Sequence, residues 1–203
     1  LVDYMKLFNS RSYQLILGAG ATRSAGLKNI NTKHLALASQ ALGFVIAIIP
    51  YIREFVRRHS PSSAGTLTEF DKVKRLCQEH QSNIHDKLSE IMKGRAVAHI
   101  NSMKKTNFDA AADVQVSPHM ETLVKETSTL HRVMTKHLPE MTVRMIMTSV
   151  FASYKEQWSA AFADVEVKTD AGKAGYVASH TIQHNHVIRH AGTNQTSLGC
   201  FET

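Results

Sequence analysis

One long stretch of the chain repeats apolar residues at steps of three and four, and this repeat restricts the fold more than any other feature. Such spacing places side chains on one face of an α-helix, here about ten turns long. Seven of the nine positions are apolar: Phe70, Val73, Cys77, His80, Ile84, Leu88, Ile91, Arg95 and Ala98. The pattern therefore predicts a long amphipathic helix that buries this face against other elements.

Shorter periodic segments on both sides predict further helices. We expect helices at about residues 2–24, 32–59, 66–104, 118–138 and 139–165. Asn31 or Thr32 can accept hydrogen bonds from the free N–H groups that begin the second helix. Ser117 and Pro118 favour the start of the fourth, because proline at the first helical position loses no hydrogen bond.

No stretch alternates apolar and polar residues in the way that a β-strand with hairpin turns does, so the predicted fold class is all-α. The apolar run at residues 41–52 has 12 residues, whereas a membrane span needs roughly 20, so it predicts a buried helix. A Ser-rich linker is expected at residues 60–66. We assign residues 1–172 to one helical domain and residues 173–203 to an atypical, disordered tail without helical period.

The glycines near the N-terminus resemble those of a phosphate-binding loop, but the glycine motif is incomplete. Gly18 and Gly20 would be the first two glycines of a dinucleotide fingerprint, and Arg23 occupies the third position. The preceding residues also favour helix rather than strand. We therefore predict that Gly18, Ala21 and Ala25 form a close-packing face of the first helix and that Gly26 ends it.

The chain carries a net charge of +7, which favours contact with an acidic surface. A solvated helix face is the simple explanation of the basic segments, and contact with an acidic partner protein or with lipid headgroups is the functional one. Nucleic acid is not expected, because Lys and Arg are scattered and no recognised motif accompanies them. The candidate contact residues are Arg53, Arg57, Arg58, Lys72, Lys74 and Arg75.

Catalytic and metal-binding motifs are not found in the sequence. The two cysteines, Cys77 and Cys200, are too few for a zinc or disulfide framework. Four tail histidines form two i, i+4 pairs without a nearby Cys, Asp or Glu, so they predict no metal site; they are His180, His184, His186 and His190. We expect no enzyme activity, cofactor, metal or small-molecule substrate.

Several short segments are more specific signals than composition or periodicity. Residues 7–42 include NSR-YQ, ILGAGA, GLK-I and TK-LALAS, and IPYIR follows at residues 49–53. These segments resemble the C-terminal region of the vacuolar protein sorting-associated protein 54 family, a subunit of the Golgi-associated retrograde protein (GARP) complex, in a divergent, fungus-like form. Weaker similarity continues to Trp158. From about residue 175 the sequence does not resemble the charged helices with which the family normally continues.

The resemblance implies a non-enzymatic subunit domain of a vesicle tether that acts in retrograde transport from endosomes to the trans-Golgi network. It implies an elongated antiparallel helical bundle, like the helical-rod domains of other multisubunit tethers. Expected partners are other GARP subunits, SNARE proteins and an endosomal or Golgi membrane surface, and the expected location is the cytosolic face of those membranes. The alternative is a scaffold bundle that contacts only sibling tether subunits.

Overall fold

The computed structural model describes residues 1–60, 64–105, 118–164, 168–170, 172–174, 177–179 and 181. Within these residues all regular structure is helical and no strand occurs, so the predicted all-α class is confirmed. The helices are α1 (Val2–Ile16), α2 (Ala21–Ser24), α3 (Thr32–His59), α4 (Ala64–Met103), α5 (Pro118–His137) and α6 (Glu140–Ala163).

The prediction of one helix over residues 2–24 is wrong, because the chain turns between α1 and α2. The backbone N–H groups of Leu17 and Gly18 both donate to the carbonyl oxygen of Tyr13, at 2.8 and 2.9 Å, which ends α1. Gly20 then adopts a left-handed conformation with φ 73° directly before α2. Glycine takes this conformation without a steric penalty, so the same small residues that fitted a helix face instead permit a turn.

A second left-handed glycine ends α2. Gly26 has φ 66°, its N–H donates to Arg23 at 3.2 Å, and the N–H of Leu27 donates to Thr22 at 2.9 Å. These two bonds form a Schellman motif, which satisfies carbonyl groups that the helix end leaves free.

Asn31 caps the first turn of α3. Its side-chain oxygen accepts hydrogen bonds from the backbone N–H groups of Lys33 and His34, at 3.1 and 3.2 Å. The ring nitrogen of His34 in turn accepts a bond from the N–H of Asn31. This reciprocal arrangement is a capping box with histidine in the place that glutamate usually takes.

The described chain divides into two compact units. The first comprises residues 1–88 and 133–143. In it α3 and α4 pack through fully buried side chains, which include Leu35, Leu42, Ile49, Phe70, Val73, Cys77, Ile84 and Leu88.

Polar contacts of two histidines link the helices of this unit. His80 donates a hydrogen bond to the Asn9 side chain of α1 (3.0 Å), and His85 is bonded to Ser39 of α3 (2.8 Å). Burial lowers the pKa of both imidazoles below the usual 6.5. Both side chains therefore favour the neutral form in the folded protein.

The second unit comprises residues 89–132 and 144–203. Its part of α4 buries Met92, Ala96, Ile100 and Met103 rather than the predicted Ile91, Arg95 and Ala98. The buried positions recur mainly every four residues after Leu88, so the core face rotates away from the expected row. Arg95 is exposed and pairs with Glu126 of α5.

Thr127 and Tyr154 of the second unit take part in a buried hydrogen-bond chain. The hydroxyl of Thr127 donates to the Leu123 carbonyl (2.7 Å), so the Tyr154 hydroxyl, 3.0 Å away, donates to Thr127. Burial raises the pKa of Tyr154 to about 12. Trp158 is fully buried in the same unit and packs against Phe162.

The beginning of the predicted tail differs from the expectation of a disordered segment. Residues 172–174, 177–179 and 181 are helical, and Ser179 is fully buried. The Thr169 side chain accepts a bond from the N–H of Gly172, as an N-cap residue does, and this capping signal was missed in the sequence. The other tail residues, including the four paired histidines, lie outside the described residues.

Candidate interaction surface

The predicted basic segments lie at the C-terminal end of α3 and in the first part of α4. Arg53 of α3 and Asp71 of α4 form an ion pair with 3.1 Å between Nε and Oδ1. This contact brings the end of α3 next to Asp71, the neighbour of Lys72 in the chain. The fold therefore joins two segments that a linker separates in the sequence.

Two of the predicted cations share one carboxylate. Arg57 contacts Glu54 through two nitrogens at 2.6 and 2.7 Å, and Arg58 contacts it at 2.8 Å. The hydrogen bonds from Arg57 and then Arg58 lower the pKa of Glu54 to about 2, so this carboxylate stays ionised. Arg57, Arg58 and Glu54 together therefore carry a net charge of +1.

A similar group lies near the start of α4. Glu69 accepts hydrogen bonds from Lys6 of α1 (2.6 Å) and from Lys72 (2.7 Å). These bonds, the one from Lys6 first, lower the pKa of Glu69 to about 2. Lys72 is therefore partly neutralised, and Glu69 connects α1 to α4.

Lys74 and Arg75 differ from the other four predicted contact residues. Neither forms an ion pair within the part of the chain that the structure describes. The first unit as a whole contains thirteen Lys and Arg residues and seven Asp and Glu residues. It thus carries +6 of the net charge of +7, after the carboxylates of its ion pairs have been subtracted.

The small residues of the N-terminal segment do not form the predicted packing face. Gly18 lies beyond the end of α1, and a Cβ atom there would approach the backbone of Gln14 to 2.8 Å. The three nearest atoms all belong to the backbone of Gln14, in the preceding turn. Ala21 is buried in α2, Ala25 is half-buried at its C-cap, and Gly26 is exposed.

Other candidate sites offer little chemistry. A cleft of about 350 Å³ lies between α1 and α4 and is lined by Asn9, Tyr13, Leu76 and His80 among others. Nε2 of His80 is buried there without a hydrogen-bond partner in the described structure. Among the described residues no group of three or more His, Cys, Asp or Glu side chains could hold a metal ion.

α3 presents a surface that the sequence analysis missed. It is long and apolar enough to cross a membrane by length and composition, with a mean hydropathy of 2.0, yet only 28% of that window is buried. The core helix of a soluble protein can pass the same test. The predicted buried helix is therefore buried along one side only, and Phe44, Tyr51 and Phe55 are exposed along the other.

Comparisons with known proteins give one consistent result. Residues 1–95 match the family model described as Vps54-like protein. The chain is 34% identical over 179 residues to vacuolar protein sorting-associated protein 54, chloroplastic, of Arabidopsis thaliana, which covers 85% of the chain and 17% of that protein. It is also 34% identical over 173 residues to vacuolar protein sorting-associated protein 54 of Mus musculus, with the same two coverages.

More distant relatives carry the same name. Vacuolar protein sorting-associated protein 54 of Schizosaccharomyces pombe is 29% identical over 202 residues, which cover 90% of the chain and 20% of that protein. The chain thus spans about a fifth or less of the length of these relatives. No solved structure matches.

Proposed function

Because the chain belongs to the Vps54-like family, we propose that it is the C-terminal recruitment domain of a vesicle-tethering subunit. The subunit would act with the other GARP subunits in retrograde transport from endosomes to the trans-Golgi network. In this proposal the domain does not catalyse a reaction, and it brings the tether to the cytosolic face of an endosomal or Golgi membrane. SNARE proteins are the further partners that we propose.

The observation that carries the proposal is the basic character of the first unit, which has a net charge of +6. An anionic membrane attracts clustered cations with a free energy of about 1 kcal/mol for each Lys or Arg near its surface. Lys74 and Arg75 are the candidate residues with no ion pair among the described residues. They would therefore contribute most to binding, whereas Arg57 and Arg58 retain Glu54 between them.

Helices packed along buried faces suit such a role. α3 and α4 have 28 and 40 residues, which correspond to about 42 and 60 Å of helix. A tether needs rigid length and exposed surface more than it needs an enclosed pocket. The described helices supply length and surface.

The first test reverses the charge of the two candidate residues that form no ion pair among the described residues. The double variant Lys74→Glu and Arg75→Glu should bind anionic liposomes at least about tenfold more weakly than the unchanged chain. Arg53 is unsuitable for this test, because its reversal would also disrupt the contact with Asp71. Unchanged binding by the double variant would remove these two residues from the proposed contact surface.

A matched control makes the same change of charge elsewhere. Lys125 and Arg132 lie on α5 in the second unit, and both side chains are exposed. The variant Lys125→Glu and Arg132→Glu should retain most of the binding. Equal losses in the two double variants would show that net charge alone, and not a defined surface, determines membrane binding.

The second candidate function is a scaffold that contacts only sibling tether subunits. The ion pairs of Arg57 and Arg58 with Glu54, and of Lys72 with Glu69, favour it, because these carboxylates reduce the attraction to lipid. A pull-down with this chain distinguishes the two proposals. Recovery of membranes or SNARE proteins supports recruitment, and recovery of subunits without membrane supports the scaffold.

A further inference from the structure

The exposed side of α3 carries one continuous apolar row. Its members are separated by steps of four, three, four, three and four residues: Leu37, Ala41, Phe44, Ile48, Tyr51 and Phe55. We name this row the α3 stripe. Phe44, Tyr51 and Phe55 are 68%, 77% and 63% exposed, and Ile48 is half-buried. Soluble proteins rarely leave so long an apolar patch open to water unless it binds something.

The same helix is anchored by its opposite side, so the stripe is not a core face that has come loose. Leu35, Leu42 and Ile49 are at most 1% exposed. The Ser39 carbonyl accepts a bond from Gln81 of α4 at 2.9 Å. The unit's own core is therefore complete without the stripe.

The spacing of the α3 stripe fits a helical partner. Alternating steps of three and four residues give a mean period of 3.5, which is the a/d seam of a coiled coil. From Leu37 to Phe55 the stripe rises over 18 residue steps and is about 27 Å long. A second helix can insert its own side chains between the side chains of such a row. Binding to a lipid surface does not require this spacing.

The charges around the stripe define the chemistry of that partner. No Lys, Arg, Asp or Glu occurs from residue 34 to residue 52. Exposed cations stand at both ends, with Lys33 before the stripe and Arg57 and Arg58 after it. Glu54 neutralises only one of the latter two.

Opposite charges across the flanks of a helix pair favour association, and like charges oppose it. A second copy of this chain packed antiparallel on α3 would place Lys33 near Arg57 and Arg58. That arrangement is repulsive, so self-association is not the expected use of the stripe.

We propose that the α3 stripe binds one amphipathic helix of another protein, with apolar residues in heptad spacing and acidic residues at its flanks. Tyr51 and Phe44 would be the central side chains of this contact. Large aromatic side chains at the centre of an interface commonly carry most of the binding energy. This interaction goes beyond membrane recruitment and does not require the basic surface at Lys74 and Arg75.

The first experiment uses two synthetic probes. Both are 21-residue helices with Leu at a and d, and one has Glu and the other Lys at e and g. The chain should bind the Glu peptide at least about tenfold more tightly than the Lys peptide. Tyr51→Glu should abolish binding of the Glu peptide. Tyr4→Glu is the matched control and should not affect it, because Tyr4 has nearly the same exposure (76% against 77%) but lies on α1.

Both tyrosine variants should keep the helical circular dichroism of the unchanged chain, since neither side chain is buried. Equal affinity for the two peptides, or a Tyr51→Glu variant that still binds, would overturn the proposal. Loss of liposome binding in Tyr51→Glu with unchanged peptide binding would assign the stripe to lipid and would also overturn it.

The second experiment identifies the natural occupant. The full-length subunit carries the photo-crosslinker p-benzoyl-phenylalanine in place of Phe44, and its crosslinked peptides from cells are sequenced. An acidic heptad helix of another protein supports the proposal. Crosslinks to another part of the same chain, to a second copy or to lipid contradict it, and so does the absence of any crosslink. Membrane recruitment is measured separately, so either proposal can fail alone.

Discussion

Gly18 offers a sharp test of how the N-terminal segment is built. A Cβ atom at this position would approach the carbonyl oxygen and Cα of Gln14 to 2.8 and 2.9 Å. Both atoms belong to the backbone, so they cannot move aside as a flexible side chain would. Forcing an extra carbon into such a site costs about 1–3 kcal/mol, and the reduced freedom of the unfolded chain returns about 0.4–1 kcal/mol. We therefore expect Gly18→Ala to lower the free energy of unfolding by about 1–2 kcal/mol.

The dependence of the free energy of unfolding on the size of the residue at position 18 distinguishes this backbone clash from packing against another helix. If the clash involves Cβ and the Gln14 backbone, Gly18→Leu should cost only about 0.5 kcal/mol more than Gly18→Ala, because Gly18 is only half-buried. If a neighbouring helix limits the space, Ala should be tolerated and Leu should be severely destabilising.

Urea unfolding followed by circular dichroism measures both variants. Gly94 is the matched control, since it lies inside α4 and a Cβ atom there meets nothing within 4 Å. Gly94→Ala should raise the free energy of unfolding by about 0.5–1 kcal/mol. A Gly18→Ala variant as stable as the unchanged chain would refute the backbone explanation.

Two further predictions concern the first unit. Asn31→Ala should lower the free energy of unfolding by about 1 kcal/mol in urea titrations, because α3 loses its capping bonds. Asn31→Asp should retain most of the free energy of unfolding of the unchanged chain. Equal effects of the two substitutions would contradict the role of the cap. Because burial lowers the pKa of His80 and His85 in the folded state, the unfolded chain binds more protons below the usual pKa of 6.5, and stability should fall as the pH drops through that value. His85→Gln should reduce the pH dependence between pH 7.5 and 5.5, and an unchanged slope would show that His85 does not contribute to it.

The all-α class was predictable because it depends on periodicity over long segments. The row from Phe70 to Leu88 is buried as expected, and Asn31 caps the helix that follows it. Both features are local in the sequence. A period of 3.6 residues or a capping side chain next to its helix can be recognised without knowledge of the tertiary structure.

The features that were mispredicted depend on contacts or on backbone angles that composition does not specify. Gly18 and Gly20 fit a small helix face and a turn equally well, and only the left-handed φ of Gly20 decides between them. The core row of α4 shifts after Leu88, where the second unit begins. The ion pairs of Arg57 and Lys72 follow from neighbours at i±3, and the charge count alone did not reveal them.

The α3 stripe was missed for a related reason. The run from Ala41 to Ile52 is apolar on all sides, so its composition indicates burial and cannot show which side lacks a neighbour. Only packing against α4 decides that Leu42 and Ile49 are covered while Phe44 and Tyr51 are exposed. The heptad spacing of the exposed row was present in the sequence, but a second apolar row at similar spacing obscured it.

The localisation of this chain in cells that lack the other tether subunits tests the central claim most directly. A fluorescent fusion of residues 1–203 should concentrate on endosomal or trans-Golgi membranes, and the variant Lys74→Glu and Arg75→Glu should concentrate there less. The variant Lys125→Glu and Arg132→Glu should behave like the unchanged chain. A fusion that is diffuse in these cells and reaches membranes only when the sibling subunits are restored would contradict autonomous recruitment and support the scaffold.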